Sequence, residues 1–471
     1  MLKKSGCIIL AMLLVLSLLA GGCSSQSDST DPSTTPDSST ALVGDVEDIT
    51  QKIPEGGTFE VSKSVIGNTN AEIVLTWQPV PDHSFNSNVE ACAEDITKKI
   101  EAWVKKYPNV KVVPMEAINS TTEMMAKLQL NVADGTIADV AAVDSFIVAN
   151  VAEYGVSLNP YLEQWGIAAD DFFPYVQEAV TVDGEMKALW YNTDLRGLFY
   201  RKDWIETPPT TMDEVLAIGK EMADQGRVGL SFNGGRGEGT ANNFWGLYWC
   251  QGGEIIDENG ELGFAEGANR QAVINVLSYM KRAVDEGISP ASVIEYTTDT
   301  MQHGEMANGN VAMAIANSRG VYQLRDIMGE EEFNSVWGFA PYPVIEAGQQ
   351  STCSAGGWTY MIFTDDKLKQ DLAADLIYNL YVSDEASESF CRVNGFLPTR
   401  KSLFDKFSFL KEDPYLVTCG EILTTANTRP GSPLYSTISA EIQVAVGEVI
   451  SGSASPEEAT DPAIANIKNN S

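Results

Sequence analysis

Residues 188–203 read ALWYNTDLRGLFYRKD, an apolar and aromatic run with polar residues at its centre. Trp190 and Tyr191 stand directly before Asn192, where a strand is expected to give way to a loop, and Arg196 follows a few residues later. An aromatic ring offers a flat apolar face, and neighbouring Asn, Asp and Arg side chains offer hydrogen bonds. The stretch therefore favours a site for an uncharged polar ligand.

The same combination recurs at the ends of other predicted elements. It is found at Trp77, Trp245, Trp249, Trp337 and Trp358. Sugar rings have apolar C–H faces that stack on aromatic rings, so the repeated pattern points to a carbohydrate. For each single Trp, packing in the core is the competing interpretation, because large aromatic side chains dominate ordinary cores. Trp103 lies on the apolar stripe of a predicted helix and is assigned to the core.

Strands alternate with helices in the first third of the chain. Residues 71–77 form a predicted buried strand, residues 92–107 place apolar side chains at helical spacing, and residues 110–114 form the next strand. Residues 139–143 form a further strand that ends at Asp144. This order predicts a mainly parallel sheet covered by helices on both faces.

Two helices further along the chain begin with a capping box. Thr211-Met212-Asp213-Glu214 and Ser455-Pro456-Glu457-Glu458 each place a hydroxyl three residues before a glutamate. The hydroxyl accepts a backbone N–H of the first turn, and the glutamate reaches back to the backbone of the cap. Helices are therefore predicted to begin at both places. Another helix, from about Ser383, is predicted to end at Asn394-Gly395.

The first 44 residues are expected to lie outside the folded body. Lys3 and Lys4 precede an apolar run, Cys7–Ala20, that is too short for a stable membrane span and is typical of a secretory signal. The following Gly21-Gly22-Cys23 resembles the lipobox of bacterial lipoproteins, with Ala20 where that family prefers Leu. Residues 1–22 are interpreted as a signal peptide, and residues 23–44 as a lipidated cysteine and a flexible linker. An ordinary N-terminal membrane helix is the alternative.

Charge and composition exclude several classes of function. The chain has 31 Lys and Arg against 65 Asp and Glu, a formal net charge of −34. Nucleic acid and anionic lipid are excluded as partners, because both require clustered cations. Only two histidines are present, His83 and His303, and neither has metal-ligand spacing around it. We therefore expect no metal, no cofactor and no histidine-based catalysis, and surface positions for both histidines.

The cysteines predict no disulfide framework. Beyond Cys7 and Cys23, the chain has an odd number at irregular spacings, namely Cys92, Cys250, Cys353, Cys391 and Cys419. At most two bridges can form among them, and no metal knuckle is indicated.

Six segments together resemble family 1 extracellular solute-binding proteins, the maltose-binding-like receptors of ABC importers. The stretch 188–203 resembles the segment with which those receptors cross between their lobes. The other five follow in the expected order and are Pro208–Thr211, Gln251–Ile256, Gly309–Ile315, Ala355–Trp358 and Asn394–Arg400. The resemblance spans about residues 71–467.

The resemblance implies an α/β, two-lobed periplasmic-binding-protein-like fold (type II), in which discontinuous lobes are joined by a hinge and close on a ligand. Residues 45–192 with 355–423 would form the N-terminal lobe, and residues 193–354 with 424–471 the C-terminal lobe. The implied partners are a carbohydrate ligand and the transmembrane subunits of an ABC permease. The protein would be monomeric and held at the extracellular face of the membrane by Cys23 alone.

The same resemblance implies roles for individual residues. Asp144, at the C-terminal edge of a strand, would accept hydrogen bonds from sugar hydroxyls, and Arg196 would donate a forked pair. Trp358 would stack on the sugar. The other tryptophans assigned to the cleft are Trp77, Trp190 and Trp245. A helix cap is the alternative for Asp144, and a surface or interlobe ion pair is the alternative for Arg196.

One departure from the family bears on the substrate. Many relatives have an aromatic residue where this chain has Arg319, in the sequence Asn317-Ser318-Arg319-Gly320. A guanidinium stacks on rings, but it also favours a carboxylate or a phosphate, so acidic sugars such as uronates stay open. The alternative is that Arg319 faces solvent or pairs with a nearby carboxylate.

Two other classes of function stay open beside an extracellular sugar receptor. A secreted glycoside hydrolase needs two carboxylates that flank a sugar, and the 65 acidic residues allow such a pair. No segment matches a hydrolase motif, whereas the resemblance to the receptors covers most of the chain. A binding protein for a peptide or another non-sugar solute, or one that senses rather than imports, would have the same fold.

Overall fold

The structure of the protein is a computed structural model, which describes residues 49–115 and 121–470. The predicted signal peptide, the lipidation site Cys23 and the linker lie outside the described residues. Within the two described ranges, every helix is too short or too polar to cross a bilayer.

The strands of the described residues are short and spread along the whole chain. In chain order they are β1 (Phe59–Val61), β2 (Ile66–Asn68), β3 (Ile73–Gln78), β4 (Val110–Pro114), β5 (Val140–Asp144), β6 (Thr181–Val182), β7 (Glu185–Met186), β8 (Leu189–Trp190), β9 (Asp194–Arg201), β10 (Met313–Asn317), β11 (Trp337–Ala340), β12 (Ala355–Gly356) and β13 (Trp358–Ile362).

Helices connect most of these strands, and the last seven lie beyond the final strand. In chain order they are α1 (Glu90–Lys106), α2 (Thr121–Ala133), α3 (Val148–Val151), α4 (Asn159–Trp165), α5 (Pro174–Val180), α6 (Met212–Asp224), α7 (Glu238–Trp249), α8 (Gly267–Asp285), α9 (Asp299–Ala307), α10 (Gly320–Met328), α11 (Glu330–Val336), α12 (Lys367–Ile377), α13 (Asp384–Asn394), α14 (Lys401–Lys406), α15 (Ser408–Glu412), α16 (Pro414–Leu423), α17 (Tyr435–Ile450) and α18 (Pro456–Asn469).

The larger sheet has the strand order β1-β2-β4-β3-β5-β13-β8. Strand β3 is parallel to β4 and β5, and the other neighbouring pairs are antiparallel. All residues of β5 are buried, as expected for a central strand covered on both faces. The expected mainly parallel arrangement is wrong, because β13 returns from the second sheet and enters beside β5 from the end at which β5 finishes.

The smaller sheet is built around β9. Strands β10 and β11 pair with it on either side, and β12 pairs with its first residues, all antiparallel. The register places Asn317 opposite Arg196 and Gly356 opposite Asp194. The stretch 188–203 therefore supplies an edge strand of the larger sheet and the central strand of the smaller one.

The helix boundaries with strong local signals are confirmed. Both capping boxes are complete, since Glu214 N donates to Thr211 Oγ1 at 3.3 Å and Glu458 N donates to Ser455 Oγ at 3.2 Å. Helix α13 ends where Gly395 takes a left-handed φ of 68°. Trp103 of α1 is buried in the core, as its place on the apolar stripe predicts.

Candidate functional site

The two sheets meet where the chain crosses from one to the other. The first crossing joins β8 to β9, and the second joins β12 to β13. Residues 424–434, between α16 and α17, lie at the predicted lobe boundary, and we call them the third crossing. We call the side chains gathered along these crossings the seam. The seam consists of Asp144, Asp194, Arg196, Glu238, Arg319, Trp358 and Arg429.

Backbone pairing brings the parts of the seam together. Asp144 at the end of β5 lies opposite Trp358, the first residue of β13. Ser318 N donates to the carbonyl of Leu195 at 2.8 Å, which holds the start of α10 against β9. A Cβ added at Gly356 would lie 3.3 Å from Arg429 Nη2 and 3.9 Å from Asp194 Oδ1. Residues far apart in sequence therefore share one small region.

Asp144 is engaged by an arginine that the sequence did not indicate. Arg429 Nη2 donates to Asp144 Oδ1 at 2.8 Å, and both residues are buried, with 4% and 6% of their surface exposed. Burial raises the pKa of Asp144, and the Arg429 cation opposes that rise. Arg429 therefore favours the ionised form of Asp144, which accepts hydrogen bonds.

The same guanidinium reaches a second carboxylate. Arg429 Nη1 lies 3.3 Å from Glu238 Oε2, and the guanidinium carbon lies 4.5 Å from the centre of the Phe146 ring. Glu238 begins α7 and also accepts hydrogen bonds from Tyr435 at 3.1 Å and from Ser439. The contacts form a polar cluster between the end of β5 and the start of α7.

Arg196 forms a buried ion pair on β9. Its Nη1 lies 2.5 Å from Asp299 Oδ2. The same carboxylate accepts hydrogen bonds from Asn233 at 3.0 Å and from Asn317 at 2.9 Å. Arg196 and Asp299 belong to β9 and α9, which lie in the same predicted lobe. The role of Arg196 as a donor to the ligand stays a prediction.

Arg319 is placed differently from the other two arginines. Its Nε donates to the carbonyl of Asn394 at 3.1 Å, and its guanidinium carbon lies 4.2 Å from the centre of the Phe396 ring. Arg319 is half-buried and has no ion pair with a carboxylate among the described residues. Its cation is therefore not neutralised by direct contact within that part of the chain.

The four predicted tryptophans divide into two groups. Trp77, Trp190 and Trp245 are fully buried, and their indole N–H groups donate to Tyr360 Oη, the carbonyl of Asn192 and Tyr435 Oη. Trp358 is half-buried and keeps part of its ring exposed at the seam. Its backbone N–H donates to Asn192 Oδ1 at 2.9 Å.

Both histidines are buried, so the expected surface positions are wrong. His83 is 3% exposed, and its Nδ1 lies 2.7 Å from Tyr191 Oη. The rings of Trp358, Phe390 and Phe396 meet the imidazole edge-on. Burial, with a smaller effect of the Arg319 cation, holds the pKa of His83 well below its ordinary value. The polar sequence around His83 does not report its burial, because tertiary packing decides which side chains are buried.

His303 and the five cysteines are also buried outside the seam. His303 is 1% exposed, and burial lowers its pKa. All five cysteines of the described residues are free thiols and are buried, so none of the possible bridges is formed there. Among the described residues, no group of His, Cys, Asp and Glu side chains has a geometry that could hold a metal ion.

Several buried polar atoms at the seam have no hydrogen-bond partner in the described part of the chain. They are Asn192 Nδ2, Asn317 Oδ1, Asn394 Oδ1 and Arg429 Nε. Burial raises the pKa of Asp194, and the Arg196, Arg319 and Arg429 cations oppose that rise. A ligand with several hydroxyls would satisfy such a mixture of donors and acceptors, because each hydroxyl both donates and accepts.

A cavity of about 630 Å³ reaches the ring of Phe396 over which Arg319 lies. Helices α10 and α11 line one side, and α13, α15 and α16 line the other. Its volume is within the usual range of small-molecule sites. It offers space for a ligand next to the seam.

Sequence reasoning missed Asp194, Glu238 and Arg429. The two carboxylates that Arg429 contacts lie 191 and 285 residues away in the chain. No local pattern of spacing reports a contact of that length. The one available signal was an arginine placed in a crossing between the predicted lobes.

Known proteins resemble this chain over most of its length. The family described as bacterial extracellular solute-binding protein matches residues 97–416. A probable ABC transporter-binding protein of Deinococcus radiodurans is 24% identical over 383 residues, which cover 77% of this chain and 87% of the relative.

Solved structures share the fold. Maltose-bound MalE3 of T. maritima has a TM-score of 0.69 and 24% identity, covering 84% of this chain and 98% of that one. A solute-binding protein of Thermotoga lettingae bound with α-D-tagatose has a TM-score of 0.68 and 22% identity, covering 84% and 99%. The cyclic α-maltosyl-1,6-maltose binding protein of Arthrobacter globiformis has a TM-score of 0.67 and 22% identity, also covering 84% and 99%. The predicted α/β, two-lobed type II fold is confirmed.

Proposed function

Because this chain belongs to the bacterial extracellular solute-binding proteins, we propose that it captures a carbohydrate outside the cell for an ABC importer. Binding shifts the equilibrium between open and closed lobes, since only the closed form brings both lobes into contact with the ligand. No covalent step is part of this function.

The single observation that carries the proposal is the seam. It combines carboxylates, guanidinium groups and a half-exposed Trp ring at the junction of two sheets, with buried polar atoms that lack partners. Support comes from the relatives, whose names refer to an ABC transporter and to maltose, tagatose and a cyclic maltosyl sugar.

The proposed roles follow the chemistry of each side chain. Asp144 and Asp194 accept hydrogen bonds from sugar hydroxyls, Arg196 and Arg319 donate them, and Trp358 stacks on a sugar ring. The buried tryptophans pack behind the site and support it, because fully buried rings cannot contact the ligand themselves. This supporting set consists of Trp77, Trp190 and Trp245.

The ligand is an oligosaccharide or a uronate-type sugar. The Arg319 cation, which has no ion pair among the described residues, favours a carboxylate on the sugar, since a guanidinium binds a carboxylate through two parallel hydrogen bonds. The buried carboxylate of Asp144 and the half-buried carboxylate of Asp194 favour hydroxyl groups over further anions at the centre of the seam.

The remaining assignments concern the organisation of the whole chain. Residues 45–192 with 355–423 form one lobe, and residues 193–354 with 424–471 form the other. Lipidation of Cys23 holds the protein at the extracellular face of the membrane. There the monomer delivers its ligand to the transmembrane subunits of the permease.

A thermal-shift screen tests the proposed function. The chain from Asp45 onward, which contains every described residue, is heated with neutral oligosaccharides, oligouronates and peptides. A ligand at about 100 times its dissociation constant adds about 2.7 kcal/mol of stability, which shifts the melting temperature measurably. We expect a shift with carbohydrate and recovery of that carbohydrate intact. A shift with peptides alone contradicts the carbohydrate assignment, and cleavage of the sugar indicates a hydrolase.

A further inference from the structure

The third crossing, residues 424–434, holds Arg429 in a fixed place. Ala355 N donates to the carbonyl of Asn427 at 2.8 Å, and Asn427 N donates to the carbonyl of Cys353 at 3.0 Å. The crossing therefore runs beside β12 as an additional strand-like segment. On its far side, a Cβ added at Gly431 would lie 2.8 Å from Ala149 Cβ, so the backbone also packs closely against α3.

The two carboxylates that Arg429 contacts belong to opposite sides of the seam. Asp144 is the last residue of β5 in the larger sheet. Glu238 is the first residue of α7, which packs against α17, α8 and β9 of the other side. One guanidinium therefore joins the two sides through separate nitrogens, Nη2 and Nη1.

We propose that Arg429 is a positioning residue for the ligand site, which ties Asp144 to Glu238 across the seam and keeps Asp144 available as a hydrogen-bond acceptor. The inference rests on the proposed function, because Asp144 is the acceptor that the ligand would use. Through this role, Arg429 would connect closure of the lobes with recognition of the ligand. Arg429 acts through Asp144 and need not touch the ligand.

Stability alone does not explain this arrangement. Burying an arginine and a carboxylate removes both from water, and a well-packed apolar pair of similar volume is often as stable or more stable. The buried Nε of Arg429 also lacks a partner in the described part of the chain, which adds to the cost. A geometric role at the junction of two movable bodies accounts for a cation at this place.

The charged groups that face Asp144 are Arg429, from the third crossing, and Glu238, from α7. Burial and Glu238 raise the pKa of Asp144, and Arg429 is the cation that opposes them. Removing Arg429 would therefore raise that pKa further. Asp144 would take up a proton at a higher pH and would stop accepting hydrogen bonds from the ligand.

The test compares Arg429→Gln with Arg429→Lys in the chain from Asp45 onward. Affinity for maltotriose and trigalacturonate is measured by calorimetry from pH 8 to pH 6, and the radius of gyration is measured by X-ray scattering without ligand. We expect R429Q to lose affinity as pH falls, by up to about tenfold per pH unit below the raised pKa, and to be more open than the parent. R429K keeps the cation and restores the parent profile.

Arg400→Gln is the matched control. Arg400 is also buried and pairs with Asp384 away from the seam, so R400Q should lose stability while its pH profile and radius of gyration stay those of the parent. An R429Q variant with the parent's pH profile and radius overturns the inference. If neither sugar binds the parent, the proposed function fails for these sugars, whereas the ligand-free scattering still tests the tie.

A second variant keeps the inference testable if R429Q does not fold. Glu238→Gln leaves the Asp144–Arg429 pair intact and weakens the contact across the seam, together with the hydrogen bonds that Glu238 accepts from Tyr435 and Ser439. We expect E238Q to have a larger radius without ligand and, unlike R429Q, no additional loss of affinity as pH falls, because removing the Glu238 charge lowers the pKa of Asp144. An unchanged radius in E238Q contradicts the proposed tie.

Discussion

Three arginines lie close together at the seam, although the chain as a whole is strongly acidic. Acidic residues outnumber basic ones by 65 to 31, yet Arg196, Arg319 and Arg429 all lie within one junction. Two of them touch carboxylates directly, and Arg319 instead stacks on Phe396. A cation that contacts no carboxylate in the described part of the chain favours an acceptor on the ligand.

Asp194→Asn tests a half-buried carboxylate that has no ion pair in the described ranges. Burial raises the pKa of Asp194, so the charged form is costly and a neutral amide should not reduce the melting temperature. We expect D194N to bind the stabilising sugar about tenfold more weakly, a loss of about 1.4 kcal/mol, because the acceptor is lost. Asp170→Asn, at an exposed position, is the control. Unchanged affinity in D194N would remove Asp194 from the site.

Arg319→Gln tests the preference for an acidic sugar. We expect R319Q to reduce the affinity for an oligouronate about tenfold or more and to leave that for its neutral methyl ester nearly unchanged. The matched control is Arg227→Gln, since the Arg227 guanidinium also stacks on a ring, with its carbon 3.7 Å from the centre of Trp204. Calorimetry with both sugars measures the difference. Equal losses of affinity for both sugars would show that Arg319 does not recognise the carboxylate.

The buried imidazole of His83 should make the free energy of unfolding depend on pH. Its pKa in the folded protein lies well below the unfolded value of about 6.5. The neutral ring therefore contributes its full stability above about pH 6.5, and that contribution is lost as pH falls toward the folded pKa. His83→Gln removes this pH-dependent contribution. The free energy of unfolding of the variant should therefore fall less between pH 7 and pH 5 than that of the parent. Urea titrations at several pH values measure both slopes, and identical slopes would refute a neutral His83.

Helices and strands that have a local sequence signal could be predicted. The direction in which a strand runs within its sheet could not. The capping boxes at Thr211 and Ser455 were read from four residues each, because a cap is a contact within one turn. The direction of β13 depends on where the chain returns after the whole second sheet, so no local pattern reports it. The same limit hid Arg429, whose partners lie far away in the chain.

Gly395→Ala tests the junction between α13 and α10. Gly395 takes a φ of 68°, and a Cβ there would lie 2.4 Å from Tyr322 Cβ. Gly166 follows α4 with a φ of 66°, and a Cβ there would meet nothing within 4 Å. Gly166→Ala therefore isolates the backbone strain of about 1 kcal/mol, and G395A should cost about 1–3 kcal/mol more through the clash. Chemical denaturation measures both, and equal costs would mean that α10 moves aside freely.

The described part of the chain has two large sheets, which the β8–β9 and β12–β13 connections join, and a two-stranded sheet of β6 and β7. The candidate site lies where these connections and the third crossing come together. Six sequence segments were enough to predict this fold. Each segment lies at the boundary of a helix or strand and resembles the corresponding segment of the solute-binding proteins. They were not enough to predict the site, since its ion pairs depend on how the two sides meet. In this structure Arg429 occupies the space between Asp144 and Glu238, so ligand binding and the tie across the seam concern the same carboxylate.

The crystal structure of the chain in complex with the carbohydrate that stabilises it most is the most direct test of the central claim. We predict a sugar at the seam, with hydroxyls within hydrogen-bond distance of Asp144 and Asp194 and a ring face stacked on Trp358. A sugar bound elsewhere, with all three of these residues free of it, would contradict the account.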